Sequence, residues 1–231
     1  MIKKWDTGIV GNRSKKVKLK TARGRSVSSQ RWLSRQLNDP YVKEAKRLGL
    51  RSRSAFKLIQ LDEKFNLLRP GQRIVDLGAA PGGWTQVAAQ QIKDTEKNGK
   101  VIGFDVLPIE PITGAELVQG DFMVQKDVDT LSSLLDGTAD LVLSDMAAPT
   151  TGHASTDHIR TVALCEAAYE FARETLSMDG VFVAKVFKGG SEQGLLARMK
   201  REFKTVRHVK PKASRPESPE TYVIAQGYKG I

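Results

Sequence analysis

From residue 73 onward, short apolar runs of strand length alternate with longer segments of helical period. That alternation leaves few architectures open, because a chain of repeated strand–helix units buries its apolar faces best as a parallel sheet covered on both sides. The runs RIVDL (73–77), KVIGFDV (100–106), ADLVLS (139–144) and GVFVAKVF (180–187) read as strands, and ELVQ (116–119) as a short additional one. Helices are expected at 82–92, 127–135, 157–176 and 191–203. The segments 205–209 and 221–227 read as a closing pair of strands. Two further helical segments, 40–49 and 52–65, come first and end at Pro70-Gly71. The pattern predicts an α/β fold with a mainly parallel seven-stranded sheet and helices on both faces. In such sheets ligands bind at the carboxyl ends of the strands, so functional residues should follow strands directly.

Charge divides the chain unevenly. The whole sequence carries 37 Lys+Arg against 26 Asp+Glu, a net charge of +11. Residues 1–36 contain eleven basic residues and a single acid, Asp6, so almost all of the surplus lies there. We read 1–27 as a basic, disordered arm and 28–231 as the folded domain. Such arms bind nucleic acid by neutralising phosphates. A second basic stretch runs from Lys200 to Arg215 and ends in the polar segment KPKASRP; by itself it does not separate RNA binding from solubility. Cys165 is the only cysteine, and there are three histidines, which excludes a disulfide framework and a multi-cysteine zinc site; no metal is expected. No run of 18 apolar residues occurs and no signal peptide is recognisable, so a cytoplasmic protein without membrane contact is expected. A monomer is expected as well, since no exposed apolar repeat suggests otherwise.

The segment Asp76-Leu77-Gly78-Ala79-Ala80-Pro81-Gly82-Gly83-Trp84 follows a strand and opens a helix. Small residues there let the backbone approach a ligand, and free N–H groups at a helix start favour a carboxylate or phosphate. The glycine spacing is neither that of a dinucleotide site nor that of a P-loop. Asp105 ends the next strand, where a carboxylate can accept from both hydroxyls of a ribose. Asp121, in QGD, falls within reach of an adenine amino group. The three together suggest a nucleoside-bearing ligand without a triphosphate, and S-adenosyl-L-methionine fits.

DLGAAPGGW, GDF, SDMA, VAKVF and GLRSRSAFKL, in that combination, resemble the FtsJ/RrmJ family of ribosomal RNA large-subunit methyltransferases, over roughly residues 28–227. The resemblance implies a Rossmann-like methyltransferase fold. It also implies transfer of a methyl group from S-adenosyl-L-methionine to the 2′-hydroxyl of a uridine in the A loop of 23S rRNA, in the assembled 50S subunit. The family's catalytic set corresponds to Lys57, Asp145, Lys185 and Glu220, with Lys185 as proton acceptor, and its cofactor contacts to Gly82, Trp84, Asp105, Asp121 and Asp145. Two departures stand out. Ala148-Pro149-Thr150 follows SDMA where the family pattern has Pro-Asn, and the basic arm is longer than in compact members.

The residues themselves agree on placement. Asp145 follows a strand, Lys185 interrupts an apolar one, where a lysine is costly unless paired or near the strand end, and Glu220 begins the last. Trp84 is equally compatible with the cofactor site and with the core, and Trp32 is expected to anchor the first helix on the core. Arg51, Arg53 and Lys57 are expected as a cluster contacting rRNA phosphates, and Cys165 as a buried thiol. Other readings weighed are a 2′-O-methyltransferase of tRNA or of a cap ribose, a non-catalytic ribosome-assembly or RNA-binding factor on the same fold, and a nicotinamide-dependent oxidoreductase, which the glycine spacing disfavours.

Overall fold

A computed structural model describes residues 17–19, 24–93, 99–148, 151–187 and 193–230. Most of the basic arm (1–16 and 20–23) and the departure at Pro149-Thr150 lie outside the described residues. Three helices come first: α1 (Val27–Asn38), α2 (Pro40–Leu48) and α3 (Ala55–Phe65). Strands and helices then alternate as β1 (Arg73–Leu77), α4 (Gly83–Gln91), β2 (Lys100–Asp105), β3 (Glu116–Gln119), α5 (Gln125–Leu135), β4 (Ala139–Ser144), α6 (Ala154–Thr175), β5 (Leu176–Phe187) and α7 (Gln193–Glu202). The last two strands are β6 (Phe203–Val209) and β7 (Glu220–Tyr228).

The seven strands form one sheet in the order β3-β2-β1-β4-β5-β7-β6. Strand β7 runs antiparallel to both its neighbours, and the other neighbouring pairs are parallel. The chain moves outward from β1 through β2 to β3 and then returns to place β4 on the other side of β1. The connections leaving β1 and β4 therefore diverge, which opens a crevice at their carboxyl ends. Because β7 is reversed, its first residue faces the last of β5: Glu220 pairs with Phe187, and Tyr222 with Lys185.

Side-chain alternation sorts the sheet into two cores. Ile74, Leu141, Leu143, Val181, Val183, Tyr222 and Ile224 face α3 and α4. Val75, Val142, Phe182, Ala184, Val223 and Ala225 face the opposite way and pack with Leu131 of α5, Tyr169 of α6 and Met199 of α7. A strand turns alternate residues to the same face. Asp76, Asp145, Lys185 and Glu220 therefore continue the first face, on the side covered by α3. Parity, with the reversal of β7, brings four charged residues to one side of one sheet edge.

Two expectations need correction. Helix α1, which the alternation did not mark, starts at a Ser26 cap whose hydroxyl accepts from the Ser29 N–H. Its Trp32 is 51% exposed and so does not anchor the helix on the core. The reason lies in its sequence, VSSQRWLSRQLN, which lacks a broad apolar stripe and packs on α2 rather than on the sheet. Cys165 is buried as expected.

Trp84 belongs to the core: it is 2% exposed, stacks at a tilt on Tyr222 with ring centroids 5.5 Å apart, and donates its indole N–H to the Ser54 carbonyl at 2.8 Å. Replacing Trp84 with Phe keeps an aromatic ring but removes the indole donor and part of the buried ring; the Ser54 carbonyl then keeps only the Lys57 N–H, at 2.9 Å. We expect a loss of about 1–3 kcal/mol in urea unfolding; an unchanged midpoint would show that the indole hydrogen bond contributes nothing.

Candidate active site

The turn after β1 sets the geometry. Gly78 has φ +75°, and a Cβ there would lie 2.7–2.9 Å from Met146, so only glycine lets this turn pass the segment that follows β4. Asp145 donates its backbone N–H to the Leu77 carbonyl at 3.2 Å, which ties the two strand ends together. At α4 the first hydrogen bond within the helix runs from the Gln86 N–H to the Gly82 carbonyl. The N–H groups of Gly83 and Trp84 thus have no acceptor in the helix.

A cavity of about 700 Å³ opens at these strand ends, lined by Gly78, Asp105, Asp121 and Asp145, with Phe122, Met146 and Leu164 among its apolar walls. The Asp105 carboxylate accepts the Ala80 N–H on Oδ2 and the Leu107 N–H on Oδ1, both at 2.8 Å. Each oxygen keeps one lone pair for a further donor. Asp121 accepts the Met123 N–H on Oδ1 at 2.9 Å, and no described residue hydrogen-bonds its Oδ2. Gly82 and Trp84 do not line this cavity. The Gly82 Cα faces Ile112 and Arg51, and the Trp84 ring points into the core, so any ligand contact from this pair comes from the backbone of the α4 start.

Beside the cavity the other charged groups converge. Lys57, on α3, places Nζ 3.0 Å from Glu220 Oε1, 3.0 Å from the Tyr222 hydroxyl and 3.8 Å from Asp145 Oδ2. Lys185 places Nζ 2.6 Å from the Asp145 carbonyl oxygen and 3.0 Å from Asp145 Oδ1. The Tyr222 hydroxyl donates to Asp145 Oδ1 at 2.6 Å. The structure thus brings together all four residues, Lys57, Asp145, Lys185 and Glu220. Their formal charges sum to zero, which is what makes burial of two lysines tolerable. Glu220 pairs with Lys57 and not with Lys185.

Burial disfavours the ionised form of Asp145, but the Lys185 and Lys57 charges and the Tyr222 hydrogen bond outweigh it and hold the carboxyl below its usual range. Tyr222 moves the other way: burial first and the Asp145 charge second push its phenol well above the ordinary value, so it remains a donor. Asp76 lies below the site, fully buried, accepting the Thr85 hydroxyl at 2.6 Å. Burial and the neighbouring charges of Asp145 and Asp105 push its carboxyl up to about 7, although the Thr85 hydrogen bonds pull the other way.

Tyr222 and Asp76 were not singled out in the sequence. Both carried a signal: each lies on the same strand parity as a charged site residue, Tyr222 two positions after Glu220 and Asp76 at the register of β4 Leu143. The three residues expected to contact rRNA phosphates each have partners within the chain. The Arg51 guanidinium is tied to the carbonyls of Pro81, Glu110 and Pro111, Arg53 to Asp39 and the Ala213 carbonyl, and Lys57 to Glu220. These side chains hold the helical cover onto the site.

A seven-stranded sheet with a reversed β7 and an acidic cavity at the switch point defines a Rossmann-like methyltransferase. The model of the FtsJ-like methyltransferase family matches residues 50–228, and the chain belongs to this family. Ribosomal RNA large subunit methyltransferase E of Paramagnetospirillum magneticum is 59% identical over 222 residues, covering 95% of this chain and 91% of its own length. The protein of the same name from Rhodospirillum rubrum is 58% identical, covering 96% and 84%. Among solved structures, a Plasmodium falciparum protein described as a ribosomal RNA methyltransferase matches with a TM-score of 0.68 and 29% identity, over 78% of this chain and all of that one.

The Asp76 shift has a definite sign. Its folded-state pKa is raised, so the folded chain holds this proton where the unfolded chain has released it. The stabilisation is full below the ordinary carboxylate pKa and is lost as pH rises from about 4 through about 7. Asp76→Asn should remove this component, so the stability difference between variant and wild type should shift in favour of the variant as pH rises over that range. Denaturant midpoints measured at pH 4.5 to 7.5 check this; parallel curves would show that Asp76 ionises normally.

Proposed function

We propose that this chain transfers a methyl group from S-adenosyl-L-methionine to the 2′-hydroxyl of a uridine ribose in the A loop of 23S rRNA, acting on the assembled large subunit in the cytoplasm. The observation that carries the reading is that Asp145 belongs both to the cavity wall and to the buried lysine–carboxylate cluster. One residue thereby couples a nucleoside-sized pocket to a group able to take a proton. The names of the relatives, which specify ribosomal RNA of the large subunit, support the substrate class.

The donor set fits this cofactor. A cavity of about 700 Å³ lies within the usual range for such ligands. Asp105 offers two lone pairs to a ribose diol, Asp121 Oδ2 is open to an amino group, and the backbone N–H groups of Gly83 and Trp84 suit a carboxylate. The bound cofactor supplies an activated methyl group on a positively charged sulfur. The chain must then align the hydroxyl and remove its proton.

Lys185 is suited to that task. Two of the three positions around its Nζ are directed at Asp145, one at the carbonyl oxygen and one at Oδ1. The third is left for the substrate oxygen. In its neutral form Lys185 accepts the hydroxyl proton, and the Asp145 carboxylate stabilises the ammonium that results. Tyr222 and Lys57 keep that carboxylate ionised and fixed in place, and Glu220 holds Lys57.

Lys185→Ala should reduce transfer to undermethylated 50S subunits by about 100-fold or more, a typical share for an acid–base group. Its dissociation constant for S-adenosyl-L-methionine should stay within about threefold of wild type, since Lys185 does not line the cavity. An equal loss of cofactor affinity would move Lys185 from chemistry to structure. Mapping the label, with tRNA and 30S subunits in parallel, tests the target: label on an A-loop uridine 2′-oxygen supports the reading, and label on tRNA alone contradicts it.

A further inference from the structure

A second, smaller pocket of about 440 Å³ lies between α2 and the β6–β7 connection, and it belongs to none of the machinery above. Four basic residues, Arg35, Arg53, Lys212 and Arg215, line it against two acids, Asp39 and Glu217, together with Ser214. The β6–β7 connection is not a loose loop. Lys210 closes it by donating to the Pro216 and Ser218 carbonyls. Ala213 is held from both sides, its N–H by the Gln60 side chain at 2.8 Å and its carbonyl by Arg53 at 2.6 Å. The lining is therefore positioned in advance of any ligand.

The balance of charge favours an anion. Asp39 is the main buried acid, and it faces two guanidiniums: Arg53 at 2.8 Å and Arg215 at 3.8 Å. The contact of Arg35 with Glu217, at 3.9 Å between side chains more than half exposed, is the kind that water and salt largely screen. Lys212 is exposed and makes no ion pair among the described residues. Ser214 supplies an independent observation. It is only 4% exposed, it lines the pocket, and its Oγ has no hydrogen-bond partner. A buried hydroxyl left unpaired is costly, and an incoming acceptor oxygen would satisfy it.

We propose that this pocket binds a backbone phosphate of the RNA substrate, close to the ribose that receives the methyl group. The proposal rests on the function argued above. Position supports it. Arg53 lies in the turn that leads into α3, and Lys57 lies in the first turn of that helix. Both hold the β6–β7 connection, Arg53 within it at Ala213 and Lys57 where it enters β7 at Glu220. The pocket and the catalytic cluster are thus neighbours on one rigid support. Phosphate contacts set register without reading sequence, so this pocket would fix where the RNA strand lies relative to Lys185. It also gives a role to the KPKASRP segment, which charge alone could not assign.

The test measures binding of the full chain, with S-adenosyl-L-methionine present, to a 23S rRNA fragment containing the A loop, across a salt series. Lys212→Ala/Arg215→Ala should weaken binding about fivefold to twentyfold and make the plot of log K against log salt shallower by about 0.7, the loss of one single-strand phosphate contact. Cofactor affinity should not change. Ser214→Ala is the sharper variant, because it should weaken RNA binding about threefold or more while leaving thermal stability equal or higher, as removal of an unpaired buried hydroxyl requires. Unchanged RNA affinity and salt slope in both variants would overturn the proposal. So would loss of binding to 50S subunits with none to the naked fragment, which would point to a ribosomal protein. If the variants weaken RNA binding and the wild type methylates no RNA, the phosphate pocket stands and the catalytic reading falls.

Discussion

The Asp145 carboxylate is the interaction on which the site depends. It accepts from the Tyr222 hydroxyl, pairs with Lys185, and lies within reach of Lys57, and it does so at the wall of the larger cavity. Taking a carboxylate out of water is costly, and two buried lysines would be costly too. Each makes the other's burial tolerable, and Glu220 completes a formally neutral set. Removing one member strands the rest, so the cluster behaves as a unit in stability and, on the proposed function, in chemistry.

What places these groups together is the period of two along β-strands and the reversal of one strand. Lys185 and Tyr222 are register partners, and Glu220 faces the end of β5, only because β7 runs antiparallel to it. A parallel β7 would put its first residue at the opposite edge of the sheet. The same face carries Asp76 one layer down, fully buried against Thr85. Burial, and after it the neighbouring charges, push its proton affinity up, while the charges around Asp145 outweigh burial and push in the other direction. Two aspartates at adjacent strand ends thus take opposite protonation tendencies from their surroundings.

Much of this was legible in the sequence. Strand-length apolar runs at 73–77 and 139–144 correspond to β1 and β4, because a strand buried on both faces needs a continuous apolar run; the edge strand β3, at 116–119, is partly exposed and shows only a short apolar pair. The four charged site residues stood out because they followed or interrupted such runs. Tyr222 did not stand out, since an aromatic residue in a strand is ordinary and its hydroxyl bond depends on cross-strand register. Helix α1 was missed because its polar sequence has no core-facing stripe, and Trp32 was misjudged for the same reason. The arginines of GLRSRSAFKL look free in the sequence, whereas their partners are backbone carbonyls and an acid brought close only by folding. The pocket at Ser214 could not be foreseen, because it forms between segments about 160 residues apart.

On the proposed function, Asp145 and Lys185 act as one unit on the substrate proton. Single-turnover methyl transfer to undermethylated 50S subunits, compared across wild type, Asp145→Asn, Lys185→Met and the double variant, tests it most directly. Residues that act as a unit lose their effect together. The double variant should be no slower than about threefold below the slower single variant. Losses that multiply, so that the double variant falls by the product of the two single effects, would contradict it.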